Sequence, residues 1–132
     1  MSDPAEALQR ALYKLLRDAA IVGVADRIFD SIPPDSEFPY LVLGDDDVTG
    51  DDDECAEGST VTTRIHGWSK KPSMAELKTI AGAVRGLIRS ADLQLDGFTI
   101  DEVTFVQSLF LKDPDGLTRH SVIEFSFLIS HN

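Results

Sequence analysis

Eight carboxylates fall within one stretch, Gly44 to Gly58, which contains no lysine or arginine. Carboxylate oxygens at alternate positions are the ligands of a calcium loop, and Asp45, Asp47, Thr49 and Gly50 fit the first half of that pattern. The fit fails at the twelfth position. A bidentate glutamate is needed there, the residue is Ala56, and Glu57 comes one place late. Cation capture by a soluble module is therefore a weaker reading than a solvated acidic loop, in which like charges repel and keep the chain open. His66, His120 and His131 with Cys55 are the other candidate metal ligands, but their spacing matches no finger or ribbon. Cys55 sits among acids that oppose formation of a thiolate nucleophile. No G-x-S-x-G, phosphate loop or dinucleotide fingerprint occurs. These residues give no argument for an enzyme, a cofactor or a catalytic site.

Bases form a second group. Arg64 lies within one predicted strand and Lys70 and Lys71 follow it, while Lys78, Arg85 and Arg89 lie on the polar side of a predicted helix. An ordinary solvated helix face accounts for the latter three; contact with the acids of a neighbouring copy is the alternative. The chain of 132 residues has a net charge of -11, and without the acidic stretch its 15 acids and 12 bases nearly balance. Such a balance argues against a phosphate-binding surface. The single cysteine fits a reducing compartment, the polar N-terminus does not resemble a targeting segment, and no apolar run is long enough to span a bilayer.

The elements that carry these residues are readable from pattern. Asp3-Pro4-Ala5-Glu6 opens a helix over about 4–20, with a capping box and an apolar stripe of Leu8, Leu12, Leu15 and Leu16. Arg27-Ile28-Phe29 is a short apolar piece, Pro33-Pro34 a turn, and Phe38–Leu43 a buried strand. The acidic loop follows at 44–58. Ser59–Ser69 alternates as a strand, with Val61, Thr63 and Ile65 on one face and Arg64, His66 and Trp68 on the other. A second capping box, Ser73 to Glu76, opens a helix over about 74–90. Leu93–Ile100 reads as a short hairpin, and Val103–Lys112 and Thr118–His131 as strands joined by Asp113-Pro114-Asp115-Gly116. The expected fold is one α+β domain, with two helices on one face of a mainly antiparallel sheet and a long C-terminal hairpin.

Several segments in this order carry a resemblance: Arg27–Phe29, Pro33-Pro34, Phe38–Gly44, Ile65-His66-Gly67-Trp68-Ser69 and Asp113–His120. Together they resemble the tail completion, or tail terminator, proteins of tailed phages and gene transfer agents, the DUF3168 family. The resemblance covers the chain from about Leu8 to its end. It implies a non-enzymatic virion protein that assembles in the cytoplasm and ends up in the particle's tail. There, a ring, usually of six copies, caps the head-proximal end of the tail tube. The ring stops tube growth, meets the major tail tube protein and the head-side connector, and lets DNA pass through its channel without specific binding. A head–tail adaptor or a tail-tube subunit is the neighbouring alternative. The acidic insertion lies outside the family motifs. Asp45, Asp46, Asp47, Asp51, Asp52, Asp53 and Glu54 are expected to face the channel or a docking partner. Arg64, Lys78, Arg85, Arg89 and Arg119 are the expected ring-interface bases.

Overall fold

The computed structural model describes residues 3–51 and 58–132. Its elements in order are α1 (Pro4–Ala19), β1 (Ile28–Phe29), β2 (Tyr40–Asp51), β3 (Gly58–Ser69), α2 (Ala75–Ser90), β4 (Phe98–Lys112) and β5 (Arg119–His131). The strands form one sheet in the order β1-β2-β3-β5-β4. Among the described residues only the β1–β2 pairing is parallel. Both helices cover one face, giving the expected α+β architecture.

The core is the meeting of three apolar stripes. Leu8, Leu12 and Leu16 of α1 and Ile80, Val84 and Ile88 of α2 recur at helical spacing and are buried. They pack on Val61 and Ile65 of β3 and on Ile123, Phe125, Phe127 and Ile129 of β5, which recur every second residue. Gly67 lets α2 approach this sheet closely. A Cβ there would lie 2.5 Å from Ser121 Oγ and 3.3 Å from side-chain carbons of Leu41 and Leu77.

Local signals were read correctly in kind and less well in detail. Asp3 caps α1, its Oδ1 accepting from the Ala5 amide at 2.8 Å. Glu6, expected to close a capping box, instead pairs with Arg10 at 2.8 Å. In α2 the Ser73 hydroxyl accepts from the Ala75 amide at 3.0 Å, but Glu76 does not reach back to it. Glu76 accepts from Ser69 Oγ at 2.7 Å and pairs with Lys71 Nζ at 3.0 Å, fastening the end of β3 to the start of α2. The β4–β5 turn is organised by Asp115, which accepts from the Leu117 and Thr118 amides at 2.8 Å each and from Thr118 Oγ1 at 2.6 Å. Gly116 completes the turn at φ 72°, a left-handed value that favours glycine.

Two expectations need correction. The stretch 44–58 is not wholly a loop, because β2 continues to Asp51 and pairs residue by residue with β3 from Asp46–Thr63 to Asp51–Gly58. Ladder hydrogen bonds and partners such as Thr63 and Arg64 offset the repulsion that pointed to an open chain. Residues 52–57 lie outside the described residues. Nor is Leu93–Ile100 a separate hairpin. Leu95 makes a single bridge to Phe98, and Phe98 already begins the long β4.

Candidate assembly surface

Two surfaces remain once the helices have covered their face of the sheet. The first is the opposite face. Here β3 presents Arg64, His66 and Trp68, and β5 presents His120, Val122 and Glu124, because alternate residues of these strands point away from the core. Arg64 Nη1 donates to Asp47 Oδ2 at 3.2 Å and its Nη2 to Glu124 Oε2 at 3.2 Å, while Gln107 Nε2 donates to Glu124 Oε1 at 3.0 Å. The hydrogen bond from Arg64 to Asp47 and the two nearby carboxylates stabilise the charged guanidinium further.

Beside this network, His66 Nδ1 and His120 Nε2 share a hydrogen bond of 2.8 Å. The Trp68 and His120 rings stack, centroids 3.8 Å apart and 6° from parallel. Burial holds both imidazoles below their ordinary basicity. Asp45, whose Oδ2 lies 3.6 Å from His66 Nε2, partly opposes this at His66. His131 stands at the other end of β5 against Phe98, centroids 4.7 Å apart, so the three histidines do not gather. Cys55 lies outside the described residues. Among the described residues no group of three or more His, Cys, Asp or Glu is placed to hold a metal ion.

The acidic residues of β2 divide between the faces. A bulge between Leu43 and Asp46 puts one extra residue into β2, with Gly44 at φ 112°. Beyond it Asp45 and Asp47 lie on the helix-free face beside His66 and Arg64, while Asp46 lies on the helix face, where Thr63 Oγ1 donates to its Oδ1 at 2.5 Å. Asp51 ends β2 opposite Gly58. Asp52, Asp53 and Glu54 fall outside the described residues. The expectation that treated all seven as one group thus divides, among the described residues, between two faces.

The second surface is the edge of the sheet at β4. This strand runs for 15 residues and is the last in the order, so among the described residues its outer ladder groups have no strand beside them. Val103, Val106, Leu109 and Leu111 are exposed along it. Between β4 and α2 lies an open groove of about 460 Å³, floored by Ala81 and Gly82 and walled by Phe105 and Phe110. Lys78 and Arg85 close its helix side, 5.6 Å from the Phe110 centroid and 3.8 Å from the Phe105 centroid. The other edge of the sheet is barely covered, since β1 pairs only with Leu41 and Val42.

The expected interface bases are therefore dispersed. Arg64 is engaged on the helix-free face, Lys78 and Arg85 stand over the β4 groove, and Arg89 is exposed in the last turn of α2. Arg119, at the start of β5, donates to the Pro72 carbonyl at 3.2 Å. Sequence reading missed the β4 edge and the His66–His120–Trp68 stack. The available signal for β4 was weak alternation across Phe98–Lys112, blurred by two register shifts. The stack required knowing that Trp68 pairs with His120.

The sequence and the fold have relatives among known proteins. The family model "Tail completion protein gp17" matches residues 6–130. The tail completion protein gp17 of Bacillus phage SPP1 is 28% identical over 127 residues, covering 96% of this chain and 94% of that protein. The solved structure of the bacteriophage SPP1 gp17 protein superposes with a TM-score of 0.61 at 26% identity, covering 96% of this chain and 90% of that one. A chain in the virion of a native gene transfer agent particle shares the fold more closely, with a TM-score of 0.88 at 24% identity over 98% and 99% of the two chains. No helix among the described residues is long and apolar enough to cross a membrane. The family match runs through both helices and all five strands, and this chain belongs to the tail completion protein gp17 family.

Proposed function

We propose that this protein is the terminator of a phage-like tail. Copies, six in this reading, close into a ring on the head-proximal end of the tail tube. The ring stops tube polymerisation and gives the head-side connector a joining surface. Its work is done by binding, with no catalytic step, and the protein is a structural part of the virion tail. Family membership supports the tail role. The observation that carries the ring is the pair of open edges at the two sides of one sheet: β4, and the length of β2 beyond the short β1. A head-to-tail contact between unlike edges generates a ring when the rotation closes.

In this ring the helix-free face turns toward the channel. Asp45, Asp47, Glu102 and Glu124 there outnumber Arg64, so the wall repels phosphates and DNA passes without adhering. Asp52, Asp53 and Glu54, outside the described residues, belong to the same acidic stretch of sequence.

Loss of the protein in its producing cell tests the assignment by electron microscopy. Tails of uncontrolled length, or tails lacking heads, are expected, and normal infectious particles would overturn it. Changing Asp45–Asp47 and Asp51–Asp53 to Asn or Ser tests the channel. Normal assembly with impaired DNA delivery supports it. Tails that fail to terminate or to join heads assign the acids to docking, and unaffected particles reject both roles.

A further inference from the structure

The two open edges are built to fit each other. Directions alternate through β2, β3, β5 and β4, each antiparallel to the next. A second copy added in the same sense therefore brings its β2 antiparallel to the first copy's β4, continuing the alternation without a break. The registers also set which residues stand level across the sheet. Val48 is level with Val61, Phe127 and Val103, and Asp46 is level with Thr63, Phe125 and Phe105.

With the neighbour at the same level, its Val48 falls opposite Val103 on the helix face. Both are exposed apolar residues, 43% and 39% accessible. Its Asp46 falls opposite Phe105, over which Arg85 is already held. Thr63 takes only Oδ1 of Asp46, leaving Oδ2 for a cation. On the other face Asp47 meets Thr104 and Thr49 meets Glu102, so no two like charges oppose each other.

We propose, resting on the terminator reading, that the occupant of the β4 edge is β2 of the next copy. Val48 packs on Val103 beside the α2 groove, and Asp46 pairs with Arg85. The Val48–Val103 cross-strand contact and the Asp46–Arg85 ion pair to α2 set the register, and the ladder supplies the attraction. Lys78 lies one stretch further along the same groove, level with Phe110 and with Leu41, where β1 already shields β2. The contact is thus centred on Arg85.

Particles made with Val48→Cys and Val103→Cys in one chain, in a Cys55→Ser background, test this after mild oxidation and non-reducing electrophoresis. A ladder of covalent multimers is expected, with monomer alone from either single cysteine. Dimers from Val103→Cys alone would show two-fold β4–β4 pairing and overturn the proposal. Monomer from the double variant in correctly terminated tails would overturn the edge pairing and leave the terminator reading standing. Absence of the unsubstituted protein from tails would overturn both. Should the cysteine pair block assembly, Arg85→Glu replaces it. That change is expected to reduce ring-capped tails by about tenfold, and Asp46→Lys in the same chain to restore them. Unchanged capping by Arg85→Glu, or no restoration, would overturn the pairing.

Discussion

At the scale of single residues, two sites combine tight packing with unusual chemistry. Gly67 faces Ser121, whose buried Oγ has no hydrogen-bond partner among the described residues. Gly67→Ala is expected to cost about 1–3 kcal/mol through overpacking, and adding Ser121→Ala should recover part of it. Urea denaturation of the single and double variants checks this; equal stability of Gly67→Ala and the parent would refute the close contact. The His66–His120 pair gives a pH dependence whose sign follows from burial. Both imidazoles titrate lower in the folded chain than their ordinary 6.5, so the unfolded chain takes up protons first as pH falls. Stability is therefore full above about 6.5 and declines as pH drops below it, before the carboxylates titrate. Denaturation midpoints near about pH 7.5 and about pH 5.5 should show the loss, and His120→Gln should flatten it. A midpoint that rises on acidification would contradict the buried pair.

Among the elements, the joint between β3 and α2 is the most exacting. Burial pushes the Glu76 carboxyl up, but the hydrogen bonds from Ser69 and Lys71 and the lysine's charge outweigh it and hold the group below its usual range. Glu76→Ala removes the acceptor from the fully buried Ser69 and is expected to cost about 1–3 kcal/mol, readable as a lowered Tm. The complementary double variant with Ser69→Ala should lose little more. This joint also shows what the sequence could reveal. Ser73 and Glu76 have the spacing of a capping box, and the helix they announce is real. Spacing alone could not show that Glu76 would choose Ser69 and Lys71, because that choice depends on where β3 ends. The apolar stripes of α1, α2 and β5 were legible for the opposite reason: a period of 3.6 or 2 is set by the backbone of one element alone. Charge was the misleading signal. Aspartates disfavour strands in isolation, and pairing with Gly58–Thr63 makes Asp46–Asp51 extended.

For the whole molecule, one sheet divides the work. Its helix-covered face supplies stability, its bare face carries charge, and in the proposed ring its two edges carry association. Edge pairing of this kind draws on backbone hydrogen bonds and is less sensitive to salt than an interface of surface ion pairs. Raising ionic strength should therefore weaken ring formation only modestly, measured as capped tails or as cross-linked multimer. Dissolution of the ring at moderate salt would place the interface on the charged side chains instead. The edges were not legible in the sequence. Whether a strand is central or terminal depends on the order β1-β2-β3-β5-β4, in which β5 inserts between β3 and β4, and no residue of β4 announces that place.

The bulge at Gly44 and Asp45 acts on β2 as a frame-shift acts on a message. Leu41 and Leu43 point into the core before it, and Asp46 and Val48 share that face after it. Had the strand run without the extra residue's bulge, Asp45, Asp47 and Thr49 would have been set toward the helices, and the register with β3 would have slipped by one. The gene can consequently lose the Gly44 codon and keep every later side chain on its present face. Loss of the Val48 codon inverts all that follows. Length variation should thus be tolerated at the bulge and be selected against along the paired residues from Asp46 to Asp51.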